Sequence, residues 1–226
     1  MVGSEGPRRH IAVVDNRTTG RQDSLSMTEL LFARLRHLRV PFENYRHDAA
    51  AELLEDARKG RVAGIILSGS STMLDGEVAF DAVSCALAAL TTDLPLLGIC
   101  FGSQLLCAVH GIPLVRLPSQ LCEWLPLSPK SHSKVISKGH SKGHSKGFFC
   151  INLVPASKPP RFWRSTSLVP VQHAVWIRVR MVAAFKHVDK PWYGCMYHPE
   201  KDDDDGILST FCNCCLEKCE KNDRVQ

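Results

Sequence analysis

The sequence predicts a single α/β domain built as a doubly wound, mostly parallel open sheet with helices on both faces. Three observations carry that expectation. In the first half, short apolar runs alternate with segments of helical periodicity, which is the pattern of repeated βα units. One apolar run stops at Cys100, between Gly98 and Gly102, and passes directly into a helix-like segment. Strand-like runs then return near the end, ahead of a final helix. The 226 residues can bury one full core and leave no room for a second large one.

The elements follow in order. Residues 11–14 form an apolar run ending at Asp15-Asn16, which reads as a buried strand. Thr28 is placed to cap a helix whose apolar face carries Leu31, Leu35 and Leu38. Residues 40–45 read as a second strand, and 49–59 as a helix stopped by Gly60. A third strand over 62–67 runs into Ser68-Gly69-Ser70-Ser71. A helix over about 77–90 and a strand over 94–99 complete the first half. In sheets of this kind function gathers at the carboxyl ends of the strands, where the Ser68 loop and Cys100 both fall.

The middle is less regular. Gly-His-Ser-Lys stands at 139–142 and again at 143–146, within a stretch that offers almost nothing to bury. The segment 130–147 is therefore expected to be a low-complexity basic loop. Residues 158–160, Lys-Pro-Pro, also look irregular. Strand-like pattern returns at 171–177, 182–185 and 192–197. Asp202 to Asp205 then set four carboxylates ahead of an apolar helix carrying Ile207, Leu208, Phe211 and Cys215. The domain is expected over 8–220, with 1–7 and 221–226 as disordered tails.

Charge excludes some functions. The formal net charge is +5, but Lys130, Lys134, Lys138, Lys142 and Lys146 account for it, and residues 130–146 contain no acid and no arginine. The remainder is near neutral, with few aromatics near the lysines, so a nucleic-acid surface is not expected. The ten cysteines would suit a secreted disulfide protein. The polar residues 1–10 and the short apolar run after them argue instead for a cytoplasmic chain with reduced thiols, and no run is long enough to span a membrane.

Cys100 is the candidate nucleophile. A thiol on a turn between a buried strand and a helix is presented at the strand end, near the positive end of the helix dipole, which favours thiolate. Glycines at both the −2 and +2 positions of a given cysteine arise by chance about 0.5% of the time, so over all the cysteines the accident is roughly 5%. The flanking elements, and Tyr197-His198-Pro199-Glu200 near the other end, reduce it sharply. His198 can serve as base, and Glu200, two residues on, reaches it if the segment is extended.

These residues resemble the class I glutamine amidotransferases. The family elbow Gly-(Ile/Val)-Cys-x-Gly-x-Gln is matched by Gly98-Ile99-Cys100-Phe101-Gly102-Ser103-Gln104. The family base segment Tyr-Gly-x-x-(Phe/Tyr)-His-Pro-Glu is matched by Tyr193 to Glu200. The usual Ser-Gly-Gly-Pro oxyanion loop is here Ser68-Gly69-Ser70-Ser71. The resemblance covers most of the chain, from Ile11 to about Cys219, and implies a flavodoxin-like fold.

It further implies that L-glutamine is hydrolysed to glutamate and ammonia through a γ-glutamyl thioester on Cys100. His198 would move the protons, with Glu200 orienting it. Backbone N–H groups of Phe101 and of the Gly69-Ser70 turn would meet the oxyanion, and Gln104 would help to hold the substrate. No cofactor is implied. No Walker-type nucleotide loop is present, so a separate synthase is expected to receive the ammonia. Within the family, the Ile-Leu-Ser-Gly and Gly-Ile-Cys-Phe-Gly stretches are similar to the amidotransferase part of GMP synthase, whereas Val-Val-Asp-Asn is similar to the anthranilate and aminobenzoate type.

The chain departs from the family in two places. Ser70 replaces a glycine, and a Cβ resists positive φ. Lys134 stands where the family's Ser-His-x-Asp pattern would put an acid after Ser131-His132-Ser133. Two other functions therefore stay open: a γ-glutamyl peptidase using the same triad, and a binding module that has lost catalysis. Cys212, Cys214, Cys215 and Cys219 fit none of the usual zinc spacings, and His140 and His144 lie in glycine-rich sequence, so no metal site is expected.

Overall fold

The computed structural model describes residues 9–17, 27–70, 74, 83–110, 114–126, 148–150, 161–170, 184–187, 189–201 and 206–223. The first four strands are β1 (His10–Asp15), β2 (Phe42–Arg46), β3 (Val62–Leu67) and β4 (Leu96–Ile99). Between them run α1 (Met27–His37), α2 (Ala50–Arg58) and α3 (Ser84–Leu90), and α4 (Phe101–Val109) follows. The later strands are β5 (Leu114–Pro126), β6 (Phe148–Cys150), β7 (Arg161–Pro170), β8 (Ala184–His187) and β9 (Trp192–Cys195). The last helix is α5 (Ile207–Asp223).

The main sheet has strand order β2-β1-β3-β4-β9-β8-β6. Its first five strands are parallel, while β8 pairs antiparallel with β9 and β6 antiparallel with β8. The chain winds one way from β1 to β2 and the other way to β3 and β4, so the sheet is doubly wound as expected. Strand residues alternate between two cores. Ala12, Val14, Ile65, Leu67 and Leu96 pack with α2, α3 and α4. Ile11, Val13, Ile66, Leu97 and Ile99 pack with α1 and α5. Burial on both faces explains why these strands read as continuous apolar runs.

The structure corrects several boundaries. Thr28 is not a helix cap: α1 starts at Met27, and the Thr28 hydroxyl is buried 3.4 Å from Asp15 Oδ1. The expected strand 40–45 is β2, shifted toward Arg46 because Pro41 lacks the N–H that pairing needs. The helix expected from 77 begins at Ser84, after a non-helical Val83, and residues 75–82 lie outside the described residues. Gly60 does follow α2, with φ +69° that suits a residue without Cβ.

The middle holds more order than its sequence suggests. β5 and β7 form a separate two-stranded antiparallel sheet, with a register irregularity between Arg116 and Leu121. The basic segment 130–147, residues 171–183 and Asp202 to Asp205 lie outside the described residues. In α5, Cys212 and Cys215 are buried against the sheet while Cys214 is exposed. Among the described residues no helix is long and apolar enough to cross a membrane.

The two elbow glycines set how closely α4 meets the sheet. A Cβ on Gly102 would lie 2.3 Å from the Leu67 carbonyl oxygen, and one on Gly98 would lie 2.7 Å from the Gly102 carbonyl carbon. Neither obstacle is a flexible side-chain tip; both are backbone. Gly102→Ala is expected to cost about 3 kcal/mol through overpacking. In a thermal melt followed by circular dichroism the Tm should fall by roughly 6–12 °C. An unchanged Tm would show that α4 can move away without cost.

Candidate active site

Three segments meet at the carboxyl ends of β3, β4 and β9. Cys100 follows β4 directly and caps α4 with φ +49° and ψ −101°. For a residue with a Cβ this backbone is strained, by roughly 1–3 kcal/mol. The strain is held from both sides: Cys100 N–H donates to the Cys195 carbonyl at 2.8 Å, and Gln104 N–H donates to the Cys100 carbonyl at 3.0 Å. Such a turn pushes the side chain out beyond the strand end, which is the geometry of a nucleophile elbow. Cys100 is 4% exposed.

His198 lies three residues beyond β9 and is also 4% exposed. Its Nδ1 is 2.7 Å from Glu200 Oε1. The pair does not form on an extended segment, as the sequence suggests. Pro199–Lys201 is a 3-10 turn, closed by Lys201 N–H donating to the His198 carbonyl at 3.1 Å. Proline's fixed φ suits the first position of such a turn, and the tight winding brings Glu200 back under the ring. With Nδ1 engaged, Nε2 is left for Cys100, whose side chain hydrogen-bonds the ring.

Burial works against the imidazolium, but the Glu200 carboxylate and then the Cys100 sulfur outweigh it, so His198 is raised well above its ordinary value. The folded protein therefore keeps this proton at pH values above about 6.5, where a free imidazole loses it. The pair's contribution to stability is complete below that value and is lost as pH climbs through the raised one.

The Ser68 loop sits alongside. A Cβ at Gly69 would come 3.1 Å from His198 Cε1 and 3.8 Å from Cys100 Cβ, so the glycine backbone packs against both groups. Neither Gly69 nor Ser70 has positive φ; among the described residues that conformation occurs at Arg39, Gly60, Cys100 and Gly206. The serine at 70 therefore carries no backbone penalty. Phe101 is the first residue of α4, so its N–H lies among those without an intrahelical acceptor. Gln104 is 4% exposed in the same helix.

Sequence reasoning missed Asn16. It ends the β1 side of the site, with its N–H donating to Ser68 Oγ at 3.0 Å and its Nδ2 donating to the Ser68 carbonyl at 2.8 Å. These two bonds tie the Ser68 loop to β1. The signal available is its place just past a strand end, in Asp15-Asn16.

Among the described residues, His10, Glu43 and Asp56 bring possible metal-ligand atoms within 4.8 Å of one another, away from Cys100. The Tyr45 hydroxyl contacts all three, donating to Asp56 at 2.6 Å, and Arg61 pairs with Asp56. The cluster is thus held together by its own hydrogen bonds and an arginine. Ser131, His132 and Lys134 lie outside the described residues.

Replacing Glu200 by Gln removes the charge that raises His198. The imidazole should then titrate at a lower pH than in the wild type, read from its Cε1 proton by NMR. A titration unchanged from wild type would mean that Glu200 does not set the proton affinity of the ring.

Comparison with known proteins identifies the family. The family model for the class-I glutamine amidotransferases matches residues 22–214. A glutamine-hydrolyzing GMP synthase subunit from Methanococcus aeolicus is 28% identical over 192 residues, covering 80% of this chain and 88% of its own. An anthranilate synthase component II from Haloarcula marismortui is 28% identical over 153 residues, covering 66% of this chain and 74% of its own. Among solved structures, a protein assigned as a GMP synthase subunit from Thermoplasma acidophilum superposes with a TM-score of 0.64 at 19% identity, over 96% of this chain and 98% of that one. The chain belongs to the class-I glutamine amidotransferase family.

Proposed function

We propose that the protein hydrolyses L-glutamine to glutamate and ammonia, with Cys100 as nucleophile, His198 as proton carrier and Glu200 as its orienting carboxylate. The observation that carries this is the strained elbow at Cys100, aimed at a buried His198–Glu200 pair. Strain of this kind persists only where surrounding structure holds it, and it concentrates at reactive sites.

In the first half-reaction the Cys100 sulfur attacks the carboxamide carbon. Charge develops on the carbonyl oxygen, and the N–H groups of Phe101 and of the Gly69-Ser70 turn meet it. The imidazolium of His198 gives its proton to the leaving nitrogen, ammonia departs, and the γ-glutamyl thioester remains. Neutral His198 then takes a proton from water as the water oxygen attacks the thioester. Glutamate leaves, and the proton returns the site to its starting state. Each step uses side chains and backbone alone, so no cofactor is required. Gln104, buried beside the elbow, would hold the substrate.

The ammonia goes to a separate synthase. The Methanococcus relatives named as subunits of a glutamine-hydrolyzing GMP synthase support that assignment over the anthranilate type, since they align over a larger share of this chain. The amidotransferase domain spans 8–220. The cytoplasm is the site of action, as suits a thiol nucleophile and the seven free cysteines among the described residues.

A glutamine-mimicking diazo-ketone tests the site. Intact mass after incubation should show a single adduct on the wild type and none on Cys100→Ala. An unlabelled wild type, or equal labelling of both proteins, would remove Cys100 from the reaction.

A further inference from the structure

We infer that Ser103 is a positioning residue that sets the distance between Cys100 and His198, which rests on reading Cys100 as the nucleophile. Ser103 lies in the first turn of α4 and is 0% exposed. Its Oγ is 2.7 Å from the Gly98 carbonyl and 2.7 Å from the Cys195 carbonyl. A hydroxyl has one proton, so the two carbonyls share it in a three-centre bond.

The placement of those carbonyls gives the bond its consequence. Gly98 is two residues before the nucleophile, and Cys195 is three before the base. The β4–β9 ladder pairs Gly98 with Gly194 and Ile99 with Cys195, and there it ends. Beyond that point the two backbones turn apart, one into the elbow and the other into the 3-10 turn. The Ser103 hydroxyl spans them where the ladder stops. The Cys195 carbonyl also accepts the Cys100 N–H at 2.8 Å, and the Cys195 thiol donates weakly to the Gly98 carbonyl at 3.6 Å. Ser103 therefore helps to fix the strained backbone of Cys100 and the origin of the His198 segment with one group. It touches no reacting atom, so it acts through the positions of the residues that do.

Without the hydroxyl, both buried carbonyls lose a donor, and the strand ends are held more loosely by the Cys100 N–H and Cys195 thiol bonds that remain. A displacement on the order of 1 Å between reacting groups is enough to slow a reaction roughly 100-fold. Substrate binding depends on other contacts and should be spared.

The experiment compares glutamine hydrolysis by the full-length wild type, Ser103→Ala, Ser103→Cys and Leu53→Ala. Leu53 is 0% exposed in α2, outside the active site, and its truncation serves as a control matched in lost Tm. Ser103→Ala should lower kcat about 10- to 100-fold with KM within about twofold of wild type. Ser103→Cys keeps a weak donor and should recover part of kcat. Leu53→Ala should keep kcat within about twofold of wild type at an equal loss of Tm. A kcat for Ser103→Ala no lower than that of the control, or a loss confined to KM, would overturn the assignment of Ser103 alone. A wild type that neither hydrolyses glutamine nor takes the diazo-ketone would overturn the nucleophile assignment, and Ser103 with it.

Discussion

The site depends on how closely α4 can approach β3 and β4. That approach is set by backbone meeting backbone, at Gly102 against the Leu67 carbonyl and at Gly98 against Gly102. With no side chains intervening, the turn between strand and helix is forced into one residue, and that residue is Cys100. Its φ of +49° is the result. The stability lost to the strained turn is recovered in the packing of α4, where every residue from Phe101 to Cys107 is buried. Burying the site in turn strengthens the His198–Glu200 interaction, because little water competes for either partner.

Two constraints then bring separate parts of the chain together. Parallel pairing of β4 with β9 places the Cys100 turn beside the approach to His198, almost 100 residues later in the chain. Parallel pairing of β1 with β3 puts Asn16 next to Ser68 and secures the loop that packs against His198. The chemistry thus belongs to strand ends in a rigid sheet, and only the side chains at those ends need be special.

Much of this is legible in the sequence. Runs such as Val62–Leu67 are buried on both faces and announce themselves by unbroken apolar character. Cys100, His198 and Glu200 stand out because each is polar or reactive and follows closely on such a run. Other features leave weaker marks. The Pro199 turn that brings Glu200 to His198 reads as extended, since spacing by two residues fits either geometry once proline is ignored. Among the described residues β5 and β7 pair with each other, apart from the main sheet, so they fall outside the βα alternation by which the central strands are read. Ser103 and Asn16 give almost no signal, because a small polar residue at a strand or helix end is common. Only tertiary structure reveals which carbonyl it meets.

In the proposed reaction the strand ends serve one event, the bonding of the Cys100 sulfur to the glutamyl group of the substrate. Acid-quenched mass spectrometry of the protein turning over L-glutamine detects that bond. The peptide that carries Cys100 should gain a γ-glutamyl group, which should disappear once glutamine is exhausted. Ammonia release with no group on that peptide, or with the group on another residue, would show that Cys100 is not the nucleophile.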